Sequence, residues 1–307
     1  MINYILKRLF YSVVTIWVVI TLTFFLMHKI PGGPFDAEKK LPPQVQANLE
    51  AKFGLNKPLG EQYTTYLKNV VLHGDLGPSM RYEGKSVNDV ISYSFPATAK
   101  LGLCSVGFAL IVGLYMGITA ALHQGKWQDN LCMVIATLGV TVPSFVMATF
   151  FIYFFAVHLG WFPAVGFDGP ENLVLPAVAL GGYATAFIAR LSRSSLLEVI
   201  RQDYIKVAKA KGLAKAKIIY KHALKNSLIP IITYLGPLLA GVLTGSFVIE
   251  TLFGIPGLGR EFVQSIGNRD YTTTLGVTIF YSTFLVGCNL LVDLLYVTID
   301  PRIKLDS

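Results

Sequence analysis

Charge is scarce in this chain: only 14% of its 307 residues are Asp, Glu, Lys or Arg, against roughly 25% in an ordinary soluble domain. Cysteine is scarcer still. Cys104, Cys132 and Cys288 share no paired spacing and all fall in apolar stretches, so neither a disulfide nor a metal site is expected from them. The histidines, His28, His73, His123, His158 and His222, lack the spacing of metal ligands. Gly84-Lys85-Ser86 ends like a phosphate-binding loop, but Ser79 stands where that pattern requires glycine. No nucleophile motif, internal repeat or low-complexity tract is present. These absences argue against an enzyme, and no catalytic residue or cofactor is assigned to the chain.

What the chain has instead is apolar length. Residues 9–28, 101–125, 130–167, 172–189, 226–249 and 271–292 contain no Asp, Glu, Lys or Arg, and each run reaches the ~18 residues that a spanning helix needs. Helices are expected at about 9–29, 97–122, 131–159, 174–191, 227–249 and 275–299, giving an all-α integral membrane protein with about six crossings. The run 130–167 exceeds a ~30 Å hydrocarbon core if wholly helical. With a stop at Gly160, Trp161 and Pro163, it reads as one long or tilted helix, and Pro143 is a second candidate break. The first helix follows Lys7 and Arg8 like a secretory signal, but its apolar run is too long and no small-x-small cleavage site follows. It reads as a retained anchor.

Basic residues orient the chain. With the N-terminus inside, the inner segments 1–8, 123–130, 190–226 and 300–307 hold 15 of the 26 Lys and Arg residues. Seven of the outer 11 lie in 31–96, too long a connection for the positive-inside rule, so the comparison is 15 against 4. Both termini are then cytoplasmic. The segment 31–96, with seven acidic and seven basic residues, reads as an extracytoplasmic excursion with short helices at 43–53 and 59–72. The loop 190–226 sets ten basic residues against Glu198 and Asp203, a net +8 equal to that of the whole chain.

Asp293 is an ionisable residue inside an expected span, with Asn289 four residues earlier on the same helical face. The pair would form either a polar stripe along a substrate or proton path or a structural site. Asp293 lies about ten Å from the cytoplasmic end of its helix at 1.5 Å per residue, where the basic loop could supply a partner, and this favours the structural role. Gly113 with Gly117, and Gly241 with Gly245, are small-xxx-small pairs suited to close helix packing.

The basic loop holds the strongest local feature: Asp203-Tyr-Ile-Lys-Val-Ala-Lys-Ala-Lys-Gly212, then Leu213 to Lys225, then Asn226-Ser-Leu-Ile-Pro230. Two short helices separated by Gly212 would project from the membrane and return at Pro230, a hairpin over 192–226. On composition alone, this hairpin suits a protein partner as well as anionic lipid, and nucleic acid is not favoured.

The loop resembles the EAA loop of the permease subunits of ABC importers, in which a short helix around a glycine docks into a groove of an ATPase subunit. Ala208 and Gly212 stand at the second alanine and the glycine of that pattern. Lys206 occupies its glutamate position and Val207 its first alanine, and the interval from Gly212 to Pro230 is longer than in the general motif. In these departures the loop is similar to the peptide-transporter branch, on Ala208-Lys-Ala-Lys-Gly212 and His222-Ala-Leu-Lys-Asn-Ser-Leu-Ile-Pro230. Nearly the whole chain shares the resemblance, through Tyr4-Ile-Leu-Lys-Arg8, Pro31-Gly-Gly-Pro34, Gly54-Leu-Asn-Lys-Pro58, Val142-Pro-Ser-Phe145, Gly254-Ile-Pro-Gly-Leu-Gly259, Asn268-Arg-Asp-Tyr271 and Asp293-Leu-Leu-Tyr296. Leu41-Pro-Pro43 and Ser94-Phe-Pro96 make it most similar to the B subunits of oligopeptide permeases.

The resemblance implies a type I ABC importer permease fold in a bacterial inner membrane, one transmembrane domain over 1–307. It also implies partners: a second homologous permease, two cytoplasmic ATP-binding subunits that use ATP and Mg, an extracytoplasmic peptide-binding protein, a peptide substrate and membrane lipid. Lys206, Ala208, Lys211 and Gly212 are the residues expected to couple the chain to the ATPases. Two rivals come from other classes. A proton-coupled secondary transporter would relay through Asp293, but its expected marks of more spans, paired repeats and several intramembrane carboxylates are missing. A non-transporting membrane scaffold would use the basic loop for lipid or a signalling partner.

Overall fold

The computed structural model of the chain describes residues 2–30, 32–35 and 42–299, with 2–5 and 291–299 described by backbone alone. In chain order its helices are α1 (Ile2–Lys29), α2 (Pro43–Lys52), α3 (Leu59–His73), α4 (Val87–Leu122), α5 (Trp127–Thr141), α6 (Ser144–Phe151), α7 (Glu171–Ile200), α8 (Asp203–Ala210), α9 (Lys215–Lys217), α10 (Leu224–Ser227), α11 (Ile229–Leu243), α12 (Phe247–Leu252), α13 (Leu258–Gly267) and α14 (Tyr271–Ile299). Two π-helical turns, Ile152–His158 and Ile218–Ala223, continue α6 and join α9 to α10. Among the described residues the only extended pairing is an isolated bridge between Pro78 and Ser86.

Four helices, α1, α4, α7 and α14, are long and apolar enough to cross a membrane, and two bent pairs raise the number to as many as six. The two pairs correct the expected spans. The single helix at 131–159 is two helices bent by 107°. Proline excludes the preceding residue from helical geometry, and Val142 is extended (φ −86°, ψ 121°) before Pro143 restarts the helix as the N-cap of α6. The helix expected at 227–249 stops at Leu243: Gly245 takes φ +84°, and the Ser246 side chain caps the separate α12. Other elements exceed their expected limits. The α4 helix begins at Val87, not 97, because Ser86 and Asp89 form a capping box: Asp89 Oδ2 accepts from Ser86 N at 2.9 Å, and Ser86 Oγ from Asp89 N at 3.1 Å. It passes through Pro96, which forgoes one backbone bond. The α7 helix runs on to Ile200, so residues 192–200 belong to a long helix, and the hairpin proper begins at Asp203.

The chain divides into two compact units, one drawn from residues up to Thr98 with Pro256–Leu290, the other from Ala99–Ile255 with Leu291–Ile299. In the first unit the expected short helices appear as α2 and α3, the latter closed by Gly74 at φ +62°. Tyr63 on α3 shares a hydrogen bond with Thr21 on α1 (2.7 Å). Asp270, 2% exposed, organises the loop 77–86. Its Oδ2 accepts from Ser79 Oγ (2.6 Å), while Oδ1 accepts from Thr273 N (3.0 Å) and so caps α14. Val87, Ile91, Leu258 and Val277 form the core beneath it.

In the second unit α7 is the axis, with 67% of its most apolar stretch buried against 11% for α1. Small residues bring its neighbours close. A Cβ on Gly113 would stand 2.9 Å from Ile188 Cβ, one on Gly117 2.5 Å from Ala189 O, and one on Gly139 of α5 2.8 Å from Gly182 O. The Gly113/Gly117 pair is thus a packing seam, as expected. Gly241 meets nothing within 4 Å, and Gly245 lies in a left-handed turn, so that second pair is not a seam within this chain. Substituting Gly117→Val should cost about 1–3 kcal/mol through overpacking and lower the thermal midpoint of the purified chain. Gly241→Ala should be neutral or stabilising by up to about 1 kcal/mol. Equal midpoints for the two variants would refute the seam.

Candidate functional site

The hairpin is built from a short amphipathic pattern. Within α8 the apolar residues Ile205 and Ala208 fall three apart and are buried, together with Leu196 and Val199 of α7 and Ile218 and Ala223 of the return arm. Helix α8 ends in a Schellman motif: Gly212 N–H donates to Lys209 O (3.0 Å), and Leu213 N–H to Ala208 O (3.3 Å). Gly212 accordingly takes φ +72°, a conformation that costs a residue bearing a Cβ roughly 1–2 kcal/mol. Leu213 then packs on the same core. Two bonds close the base: Asn226 Nδ2 donates to the Tyr204 hydroxyl (2.8 Å), and Ser195 Oγ on α7 to Ser227 O (3.0 Å).

The expected coupling residues divide between the two sides of this hairpin. Lys206 is exposed and pairs with Asp203 at 2.8 Å, a contact of little energetic weight in full solvent. Lys211, the C-cap, and Gly212 are exposed, and no atom lies within 4 Å of where a Gly212 Cβ would stand. Ala208 faces inward and is 8% exposed, so it anchors the hairpin and is not on its outer surface. That outer surface carries Tyr204 and Val207, 39% and 53% exposed, with Lys211 on the same face. Sequence reasoning passed over Tyr204 and Val207, although their i, i+3, i+7 register with Lys211 was legible. Asn289 is exposed on α14, and the side chain of Asp293 lies outside the described residues.

A buried ion pair holds the helix from which the hairpin springs. Arg193 of α7 donates from both Nε and a terminal nitrogen to the two carboxylate oxygens of Asp129, each at 2.7 Å, and the Gly125 N–H donates to Oδ2 at 3.0 Å. The Asp129 side chain is 4% exposed and that of Arg193 28%. The planar fork matches the carboxylate and fixes the first turn of α5 on α7. In the sequence Asp129 merely bounded the apolar run 130–167, and Arg193 was one of the ten basic residues of the loop 190–226.

Over residues 110–305 the chain matches the family described as binding-protein-dependent transport system inner membrane component, and over 1–102 the corresponding N-terminal family. It is 46% identical over 306 residues to an oligopeptide transport system permease protein of Haemophilus influenzae, covering 99% of this chain and 100% of that one. It is 49% identical over 305 residues to a dipeptide transport system permease protein of Bacillus subtilis, covering 99% of both. Among solved structures it resembles a chain of an amino acid ABC transporter (TM-score 0.54, 17% identity, 68% of this chain and 93% of that one). It also resembles a chain of the MetNI methionine ABC transporter in an inward-facing conformation (TM-score 0.53, 19% identity, 67% and 96%). At those identities the likeness is one of fold.

Replacing Asp129 by Ala strands the Arg193 charge and should cost roughly 3 kcal/mol, at the low end for buried pairs because Arg193 keeps some solvent. The double replacement Asp129→Leu with Arg193→Met should recover most of that loss in thermal denaturation of the purified chain. Additive losses would show that the two residues act separately.

Proposed function

The chain belongs to the family of binding-protein-dependent transport system inner membrane components, and from that membership we propose that it is the permease subunit of an ATP-driven importer, forming half of a peptide pathway across the bacterial inner membrane. The observation that carries this reading is full-length identity of 46% and 49% to oligopeptide and dipeptide permeases. The other half of the pathway comes from a second homologous permease. Two ATP-binding subunits dock from the cytoplasm, and a peptide-binding protein delivers substrate outside. ATP and Mg belong to the ATPase subunits. The whole chain acts as one permease domain, with the excursion 31–96 outside and the hairpin inside.

The hairpin at 203–227 transmits the ATPase motion. It suits that role because its inner side is packed, capped and bonded at the base, so a push on its outer side moves the ends of α7 and α11 with it. Tyr204, Val207 and Lys211 present that outer side, and Ala208 and Gly212 set its shape. Lys206 borders the same surface. Asn289 and Asp293 serve the structure of α14 and not a proton relay. A pathway with so few charges accepts peptides by size and weak polarity, leaving recognition to the binding protein.

Removing a central contact of a protein interface commonly costs more than about 2 kcal/mol, a factor of roughly thirty in affinity. Val207→Asp should therefore weaken co-purification of the ATP-binding subunits about thirtyfold and abolish peptide uptake, with the chain still in the membrane. Uptake should also stop when ATP is depleted and the proton gradient is kept. Continued uptake under that condition would refute the ATP-driven mechanism.

A further inference from the structure

The hairpin leaves a cleft on the side away from Tyr204 and Val207. About 490 Å³ in volume, it lies between the ends of α4 and α7 and the hairpin arms. Its floor is apolar: Leu122 from α4, Leu197 and Ile200 from α7, and Leu213 and Ile218 from the hairpin. Its other lining side chains include Arg201, Lys209 and Lys215, and no carboxylate lines it. Asp203 is engaged by Lys206, and Arg201 reaches only the neutral amide of Gln124 at 3.5 Å. Among the described residues none of the three cations has a carboxylate partner.

We propose that this cleft binds an anionic glycerophospholipid of the inner leaflet, its phosphate held by Arg201, Lys209 and Lys215 and an acyl chain lying along the floor. Three uncompensated cations around an apolar floor complement a molecule that is anionic at one end and apolar along its length. A free anion has no use for the floor, and a neutral lipid none for the cations. The cleft also stands at headgroup depth. Leu122 closes the helix that carries the charge-free run 101–125, and Trp127, 69% exposed five residues later, is the kind of aromatic that settles at a membrane interface. The site requires the hairpin to lie at the membrane surface, but it does not depend on what the chain transports.

The test is native mass spectrometry of the purified full-length chain in non-ionic detergent, titrated with phosphatidylglycerol, phosphatidylcholine and glycerol 3-phosphate. Each cation near an anionic headgroup contributes a factor of several, so phosphatidylglycerol should bind at concentrations about tenfold below phosphatidylcholine. The triple variant R201Q/K209Q/K215Q should lose that preference. K217Q/K221Q/K225Q, the same charge change on exposed residues outside the cleft, should keep it. Equal loss in both triples, or loss in neither, would overturn the site. Displacement of the lipid by glycerol 3-phosphate would reassign it to a soluble anion. A cleft triple that keeps its lipid preference but loses co-purifying ATP-binding subunits would reassign it to a protein. On the unaltered chain, a diazirine in the acyl chain should cross-link to the segments containing Leu122, Leu197 and Leu213, and cross-links elsewhere would overturn the proposal.

Discussion

The Asp129 carboxylate is almost entirely out of water, and the two parallel bonds from Arg193, with a third from the Gly125 N–H, make that burial tolerable. This pair fixes the rotation of α7 against α5, because a fork seated on a carboxylate permits little slip. Helix α7 continues only to Ile200, and the hairpin starts at Asp203, so the direction in which the hairpin projects is inherited from that pairing. The pair can form only because the helices stand close. Gly113, Gly117 and Gly139 remove the side chains that would otherwise hold α4 and α5 away from α7.

The hairpin itself separates three jobs by geometry. Ile205 and Ala208 point into a core shared with α7, and the Schellman turn at Gly212 reverses the chain without leaving carbonyls unpaired. Tyr204, Val207 and Lys211 form an outer face suited to a protein. Arg201, Lys209 and Lys215 line a cleft suited to a lipid. The two readings that composition leaves open, a protein partner or the membrane, are therefore compatible, because different sides of the hairpin suit them. The basic residues of the loop do not form one patch: Arg201, Lys209 and Lys215 line the cleft, Lys211 lies on the outer face, and Arg193 is bound to Asp129.

The first compact unit is held by a different device. Asp270 collects Ser79 and the first turn of α14 on one buried carboxylate, joining segments 191 residues apart in sequence. Each of its partners is a hydroxyl or a backbone amide, so the site has none of the paired-charge pattern that draws attention in a sequence.

Lengths and punctuation were legible from the chain alone. Lipid demands long charge-free helices, so spans announce themselves. Gly74 and Gly212 ended helices where left-handed geometry was needed, and the short helices before Gly54 and Gly74 were in place. The Ser86–Asp89 capping box that starts α4 was also written in the sequence, masked by the more conspicuous Pro96. The tertiary structure alone decided the angle of the break at Pro143, because a proline marks a break without setting its direction. It also decided that Gly117 is a seam and Gly241 is not, and that Arg193 belongs to Asp129 across 64 residues. Such matters depend on which faces meet, and periodicity along one helix carries no information about its neighbour. That is why Ala208 could be singled out in the sequence by its place in a motif while its inward direction could not be read there.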